Sequence, residues 1–394
     1  MLAAGAKQVE RAERGAAPLR VLHINSGNLY GGVESILVTL ARFRDLCPGM
    51  EPHYALCHQG RLSSELVAAG ACVYPLGPVR ISRPWTAWRA RRRLREVLKQ
   101  VDFALVICHM PWSMAVFGPT VQSEGEQLGF WAHAFHQGKG WLERLAARAR
   151  PDLTIANSHY TEAGLKNLFP DAPCTVIYPP VAMPAEKGSS ESRAGLRKQF
   201  GADERSVVIL QVSRIEACKG HPVHLRALAQ LKQHLIPWVC WMAGGAQRPQ
   251  EQRYLAELIQ MARDLGIEDR VHFLGQRSDI AALLNAADIF CQPNQTPDSF
   301  GITFVEALWA GVPVITAALG GALEVIDADC GVLVPPEDED SLAAALKRMI
   351  ENREFREALG RSGPRRAAQL SEPAGQMKVL YQMVKNSAGL AGKL

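Results

Sequence analysis

Two carboxylates eight residues apart stand in the stretch Asp298-Ser-Phe-Gly-Ile-Thr-Phe-Val-Glu306-Ala-Leu-Trp-Ala-Gly311-Val-Pro-Val-Ile315. Asp298-Ser-Phe-Gly301 carries turn and capping chemistry, and the spacing predicts a helix from there to Gly311. The backbone N–H groups of Gly301, Ile302 and Thr303 at such a helix start suit an anion, helped by the helix dipole. Asp298 falls in the loop before the helix and Glu306 two turns into it. Carboxylates accept hydrogen bonds from sugar hydroxyls, and a helix start accepts phosphate. On spacing alone, a capping aspartate and an exposed helical glutamate are the plainer reading.

Other residues invite similar questions. Ser26-Gly27-Asn-Leu-Tyr-Gly31-Gly32-Val33-Glu34 joins a first strand to a first helix, and paired glycines let backbone approach a phosphate or an acceptor. It is neither a G-x-G-x-x-G fingerprint nor a P-loop. Phe130-Trp-Ala-His133-Ala-Phe-His136 ends a strand and opens a loop, where a neutral imidazole can hydrogen-bond hydroxyls. The His-x2-His spacing also fits a metal, but no further ligands cluster nearby in sequence. His109, at another strand end, reads as structural. The most basic stretch, 80–99, holds Arg80, Arg83, Arg89, Arg91, Arg92, Arg93, Arg95 and Lys99 against Glu96 alone, with Trp85 and Trp88 interleaved. It suits an anionic membrane surface, a phosphorylated acceptor, or simply a solvated helix face.

The elements that must position these residues alternate. Short apolar runs are expected as strands at Arg20–Asn25, Tyr54–Cys57, Cys72–Leu76, Phe103–Cys108, Leu128–Ala132, Leu153–Ala156 and Thr175–Tyr178. A second series runs through Val207–Val212, Trp238–Met242, Val271–Leu274, Ile289–Cys291, Val312–Ile315 and Val332–Val334. Helical patterns lie between most of them, which implies parallel sheets. The Pro-, Gly- and Ser-rich stretch from Tyr178 to Glu191 separates the two series. The 394 residues are 47% hydrophobic and 21% charged, which excludes a disordered or collagenous chain. The net charge of +5 is too mild to argue for nucleic acid. No apolar run is long enough to span a membrane, and no secretory signal is expected from the charged start. The nine cysteines form no Cys-x-x-Cys pair and read as reduced, mostly buried thiols.

Asp298 to Ile315 resembles the E-x7-E segment of glycosyltransferase family 4 (glycosyl transferases group 1). The rest of 200–340 matches in order. Val212-Ser-Arg214-Ile-Glu-Ala-Cys-Lys219-Gly220 resembles the family's Gly-Arg-x4-Lys-Gly phosphate-binding segment. Ala243-Gly244-Gly245 is similar to its Gly-x-Gly turn. Asp269-Arg-Val-His-Phe-Leu-Gly275, with Gln276 after it, looks like its base-binding strand and loop. Ala287-Asp288-Ile-Phe-Cys-Gln-Pro293 and Ala317-Ala-Leu-Gly-Gly321-Ala-Leu-Glu324 flank the carboxylate segment as the pattern requires. Gly31-Gly32-Val33-Glu34 resembles the Gly-Gly-x-Glu loop. The family carries a histidine near the anomeric centre, for which His133 is the closer match and His136 the alternative. One position departs: Asp298 stands where the family usually has Glu, so the acceptor is kept and its reach shortened.

The resemblance implies an α/β fold of GT-B type, two Rossmann-like doubly wound domains facing each other across a cleft. The expected divisions are a mobile tail 1–18, an acceptor domain 19–183, a linker 184–200, a nucleotide-sugar domain 201–363, and a terminal helix 364–394 packing back on the first domain. The implied activity is retaining transfer of a sugar from a nucleotide-diphosphate sugar to a hydroxyl of a glycan, glycolipid or small molecule. His133, Arg214, Lys219 and Asp298 would take catalytic roles. Gly31, Gly32, Gly245, Gln276, Phe300, Gly301, Ile302, Thr303 and Glu306 would bind the donor. The fork of Arg214 and the point charge of Lys219 suit a departing diphosphate and can replace a divalent metal. No metal and no cofactor beyond the nucleotide-sugar co-substrate is therefore expected. The implied location is cytoplasmic, with 80–99 a candidate contact for the inner membrane face. A silent sugar-nucleotide-binding protein or a sugar-nucleotide epimerase would share the fold. The presence of Arg214, Lys219 and Glu306 weighs against the first, and the ordered carboxylate segment against the second.

Overall fold

Residues 17–28, 31–80, 82–184 and 190–389 are described in a computed structural model. Most of the tail expected over 1–18 lies outside them. The chain divides into two compact units, one running to Ala182 and resuming at Ser371, the other spanning Met183–Leu370.

The first unit holds β1 (Leu19–Asn25), β2 (Met50–Leu56), β3 (Cys72–Pro75), β4 (Leu105–His109), β5 (Leu128–Ala132), β6 (Leu153–Ala156) and β7 (Cys174–Val176), in the order β3-β2-β1-β4-β5-β6-β7. All its ladders are parallel. Helices cover both faces, so the central strands are apolar throughout; every residue of β4 and β5 is buried. Leu22, Ile24, Val106, Cys108, Phe130 and Ala132 share one core face of this sheet. His23, Tyr54, His109 and Trp131 alternate with them and point the other way.

The second unit holds β8 (Val207–Val212), β9 (Trp238–Ala243), β10 (Val271–Gly275), β11 (Ile289–Gln292), β12 (Val314–Ala317) and β13 (Gly331–Val334), ordered β10-β9-β8-β11-β12-β13 and again parallel. Both sheets reverse strand order beside their first strand, between β1 and β4 and between β8 and β11. At such a switch point the loops leave in opposite directions and open a crevice at the strands' carboxyl ends.

Two expected divisions are corrected. Of the linker 184–200, residues 185–189 lie outside the described residues, but Ser190–Gln199 is a helix of the second unit. Its Arg193 and Arg197 bond the two oxygens of Asp288 at 2.8 and 2.9 Å, a tie invisible in local composition. The helix Arg353–Ser371 runs through Pro364 and stays with the second unit, where Arg366 Nε donates to the Val325 carbonyl at 3.1 Å. The return to the first unit begins at Ser371, and the helix Pro373–Ser387 packs there through Met377, Leu380 and Val384. No helix among the described residues is long and apolar enough to cross a membrane. The cysteines are free thiols, Cys72 alone being exposed.

Candidate functional site

In the second unit the residues singled out gather at the switch point. After β8 the chain turns through Ser213–Gly220 into the helix His221–Gln230; after β11 it runs to Gly301 and the helix Ile302–Trp309. The two loops interlock at Gly220. Its φ is +73°, and a Cβ there would stand 1.7 Å from the Pro293 carbonyl oxygen, so only glycine fits. Gln295 N–H donates to the Cys218 carbonyl at 2.9 Å, and Gln211 Nε2 donates to the Lys219 carbonyl at 3.0 Å.

With the loops so fixed, Lys219 Nζ meets Asp298 Oδ2 at 2.8 Å, and Asn294 Nδ2 donates to the same oxygen at 3.1 Å. Both charged side chains are mostly covered, 17% and 29% exposed. Arg214 pairs with Glu216 at 2.8 Å through one guanidinium nitrogen and stays largely exposed, which leaves the rest of its fork facing solvent. The two carboxylates of the motif thus part ways. Asp298 is bound to a cation, whereas Glu306 is half-buried on its helix with no hydrogen-bond or ion partner among the described residues. Burial alone pushes the Glu306 carboxyl up to about 7.

The helix between them begins as an anion site requires. Gly301, at φ +95°, is its cap. Phe304 N–H returns to the Gly301 carbonyl at 3.0 Å, while the N–H groups of Ile302 and Thr303 have no backbone acceptor among the described residues. Phe300 is buried beneath. The loops after β9 and β10 complete the rim: Gly244 N–H donates to the Gly275 carbonyl at 2.9 Å, and a Cβ on Gly245 would sit 3.1 Å from Gln276 Cβ. The chain also holds two Asp-x-Asp pairs, and their first members are engaged in local structure. Asp327 accepts from the Asp329 N–H at 3.0 Å, and Asp338 caps the helix Glu339–Glu351 through the Ser341 N–H at 2.9 Å.

In the first unit the first glycine of the pair has its amide engaged within the chain. Gly31 is in extended backbone, and its N–H donates to Glu34 Oε2 at 2.9 Å. That amide closes the start of the helix Gly32–Arg42 and is not free for a ligand. Glu34 itself is buried, which raises its carboxyl.

The histidines form an arrangement that spacing did not reveal. His133, just past β5, is joined through Nε2 to His109 Nδ1 at 2.8 Å. His109 Nε2 is joined in turn to His23 Nδ1 at 2.9 Å. The rings of His109 and His133 stack at 5.1 Å, beside Trp131. Burial lowers His23 and His133 to about 3 and takes His109 well below its ordinary value, so all three are neutral. His136 stands apart from this row, with its Nδ1 on Glu143 Oε1 at 3.0 Å and its ring beside Phe130. Sequence reasoning passed over His23, Asn294 and Glu216. Only strand register, which sets His23 and His109 on one face of adjacent strands, could have exposed the first.

The stretch 80–99 contains the helix Pro84–Gln100, which buries Ala90, Leu94 and Leu98. Four of its arginines are paired: Arg91 with the Val116 carbonyl, Arg93 with the Leu76 carbonyl, Arg95 with Glu124 and, on the exposed side, Arg92 with Glu96. The opposite face leaves Trp85 and Trp88 54% and 58% exposed beside Arg89, Arg92 and Lys99.

This pair of parallel, doubly wound units, with its cation, carboxylate and open helix start at a switch point, defines a GT-B fold. The model of the glycosyl transferases group 1 matches residues 192–366, and that of glycosyltransferase family 4 matches 30–183. The chain belongs to this family. It is 33% identical over 242 residues to a D-inositol 3-phosphate glycosyltransferase of Salinispora arenicola (strain CNS-205), covering 57% of this chain and 52% of that protein. It is 26% identical to a GDP-mannose-dependent alpha-(1-6)-phosphatidylinositol monomannoside mannosyltransferase of Mycolicibacterium smegmatis, over 69% of this chain and 73% of the other. The chain spans about half the length of the first of these curated relatives. Anabaena Alr3699/HepE, solved in complex with UDP-glucose, superposes with a TM-score of 0.82 at 23% identity, covering 93% of this chain and all of that one.

Proposed function

We propose that this chain is a metal-independent, retaining glycosyltransferase that moves a sugar from a nucleotide-diphosphate sugar to an acceptor hydroxyl. The observation that carries the reading is the Lys219–Asp298 pair at 2.8 Å, in a loop that also holds Arg214, together with the helix start at Ile302 and Thr303, whose N–H groups have no backbone acceptor among the described residues. In this reading Arg214, Lys219 and the N–H groups of Ile302 and Thr303 hold the diphosphate and stabilise its growing charge as the glycosidic bond breaks. Glu306 takes the ribose, Gly245 and Gln276 border the base, and Asp298 contacts sugar hydroxyls while Lys219 holds it in place. The first unit supplies the acceptor side and His133. Retention follows from same-face attack, with the leaving phosphate taking the acceptor proton. Relatives named for inositol 3-phosphate and for a phosphatidylinositol mannoside support a hydroxyl acceptor on a phosphorylated or lipid-linked molecule. The exposed tryptophans and arginines of Pro84–Gln100 suit peripheral contact with an anionic membrane on the cytoplasmic side.

A thermal-shift screen of UDP-, GDP- and ADP-sugars in excess EDTA tests this, because a ligand that binds the folded state raises its melting temperature. One nucleotide series should stabilise the protein, and the matching sugar should be consumed on adding acceptor, with its anomeric configuration kept. Activity lost in EDTA and restored by Mg²⁺ or Mn²⁺ would overturn the metal-free site.

A further inference from the structure

We propose that His23 and His109 are positioning residues that fix the tautomer of His133, so that His133 presents its Nδ1–H as a donor to an oxygen of the bound ligand. The inference rests on the transferase reading only for the identity of that ligand.

Three neutral imidazoles carry three protons on six nitrogens. The two ring-to-ring hydrogen bonds, His23 Nδ1 to His109 Nε2 and His109 Nδ1 to His133 Nε2, each require one proton between their two nitrogens. Only two arrangements satisfy both. Either all three rings carry the proton on Nδ1, or all three carry it on Nε2. The tautomers are therefore linked from β1 to the loop after β5, and the choice is made at the ends of the row.

Those ends differ. His23 Nε2 and His133 Nδ1 are both buried without a partner. His23 is fully enclosed between the rings of Tyr54 and Trp131, at 5.5 and 6.4 Å, which offer no acceptor in the ring plane. A buried N–H left unpaired is rarer in folded proteins than an under-used acceptor. The deep end therefore keeps the bare lone pair, and the proton sits on His133 Nδ1, at the loop end of the row where exposure reaches 9%. The ionisable groups next to this end are His136 and its partner Glu143; those near the other end are His53 and Glu51. Burial keeps His23 and His133 from charging above about pH 3, so the N–H is a fixed dipole and His133 is not a general acid or base. Its partner is an oxygen lone pair, from a sugar hydroxyl or from a phosphate.

The test is nuclear magnetic resonance of the full chain labelled with ¹⁵N in the imidazole rings, which separates protonated from bare ring nitrogens. In the wild type, His23, His109 and His133 should each show a protonated Nδ1 and a bare Nε2 from pH 5 to 8, the reverse of the form free histidine prefers. His109→Phe should return His133 to the Nε2–H form, and His109→Gln, which keeps one donor and one acceptor, should restore Nδ1–H in part. A wild-type His133 protonated on Nε2, or one whose tautomer ignores His109→Phe, overturns the proposal. If His109→Phe does not fold, the wild-type spectrum decides alone. Titration with a free nucleotide diphosphate and, separately, with a simple hexose shows which oxygen is met. A shift of the Nδ1–H proton in either supports the donor role, and none in both overturns it. These readouts need no turnover, so failure of the transferase reading would show separately, as absence of donor consumption.

Discussion

The Lys219–Asp298 contact gives the second unit a cation held in place before any ligand arrives. A partly exposed ion pair contributes little to stability, so the value of this one lies in aiming Nζ. Arg214→Ala and Lys219→Ala should each lower transfer by about 10²-fold or more. Arg214→Ala should leave the melting temperature nearly unchanged, because that side chain is largely exposed. Wild-type rates in a folded variant would refute the diphosphate role. Glu306 makes a separate prediction from its raised pKa. Its folded value is about 7 against an ordinary 4.5, so the folded state holds a proton that the unfolded state has released. The stabilisation by this group is full below pH 4.5 and is lost as pH rises through 7. Urea denaturation at pH 4.5 and 8 should show the wild type losing up to about 3 kcal/mol more than Glu306→Gln. Ribose hydroxyls donating to the carboxylate would favour its ionised form. Wild-type affinity for the free nucleotide diphosphate should therefore rise with pH towards 7 and level off, beyond any trend that persists in Glu306→Gln. In calorimetry Glu306→Gln should weaken that binding, while Asp298→Asn spares it and lowers kcat instead. The reverse pattern would mean the two roles are exchanged.

At the level of elements, the loops after β8 and β11 interlock through backbone at Gly220 as well as through side chains. Gly220→Ala pushes a methyl group against the Pro293 carbonyl, which cannot swing aside as a side chain would. The variant should lose of order 1–3 kcal/mol from the positive φ alone, and more from the clash. Gly125→Ala is the control, since Gly125 has φ +74° with nothing within 4 Å of its Cβ position. If both variants melt alike, the interlock contributes nothing; if Gly220→Ala also weakens nucleotide binding, it holds Lys219. Strands were readable wherever both faces were buried, as in Leu105-Val-Ile-Cys of β4. The start of β2 was not, because Met50-Glu-Pro-His looks like a turn. Pro52 is tolerated there because β3 pairs with β2 only from His53 onward, so on that side no partner strand needs its missing N–H. The helix Ser190–Gln199 was hidden for a different reason. Its anchor, Asp288, is about ninety positions away, and flanking Gly and Ser residues give the segment a linker's composition. The donor motifs were legible because each is a run of adjacent residues. The histidine row was not, since it assembles single residues from β1, β4 and the loop after β5.

On the scale of the whole molecule, the division of the chain separates the fate of the two units on truncation. The helix Pro373–Ser387 is remote in sequence from the strands it serves, yet Met377, Leu380 and Val384 are fully buried in the first unit. Gln127 Nε2 donates to the Ser387 carbonyl, and the Tyr381 ring lies against Gly49. Each buried apolar side chain is worth about 1.5–3 kcal/mol, and a domain is stable by only about 5–15 kcal/mol. Removing residues 372–394 should therefore bring the first unit close to unfolding. The residues assigned to the nucleotide diphosphate, Arg214, Lys219, Ile302, Thr303 and Glu306, all lie within Met183–Leu370. The truncated chain should then be cleaved by protease before residue 183 while still binding the free nucleotide diphosphate, and transfer should be lost. Leu380→Ala is the graded form, with an expected cost of about 2–5 kcal/mol and nucleotide binding intact. Limited proteolysis read by mass spectrometry, alongside calorimetry, separates the outcomes. A truncated chain that resists protease like the wild type would show that the helix is dispensable. One that keeps its first unit but loses the nucleotide would place part of the donor site in the terminal segment.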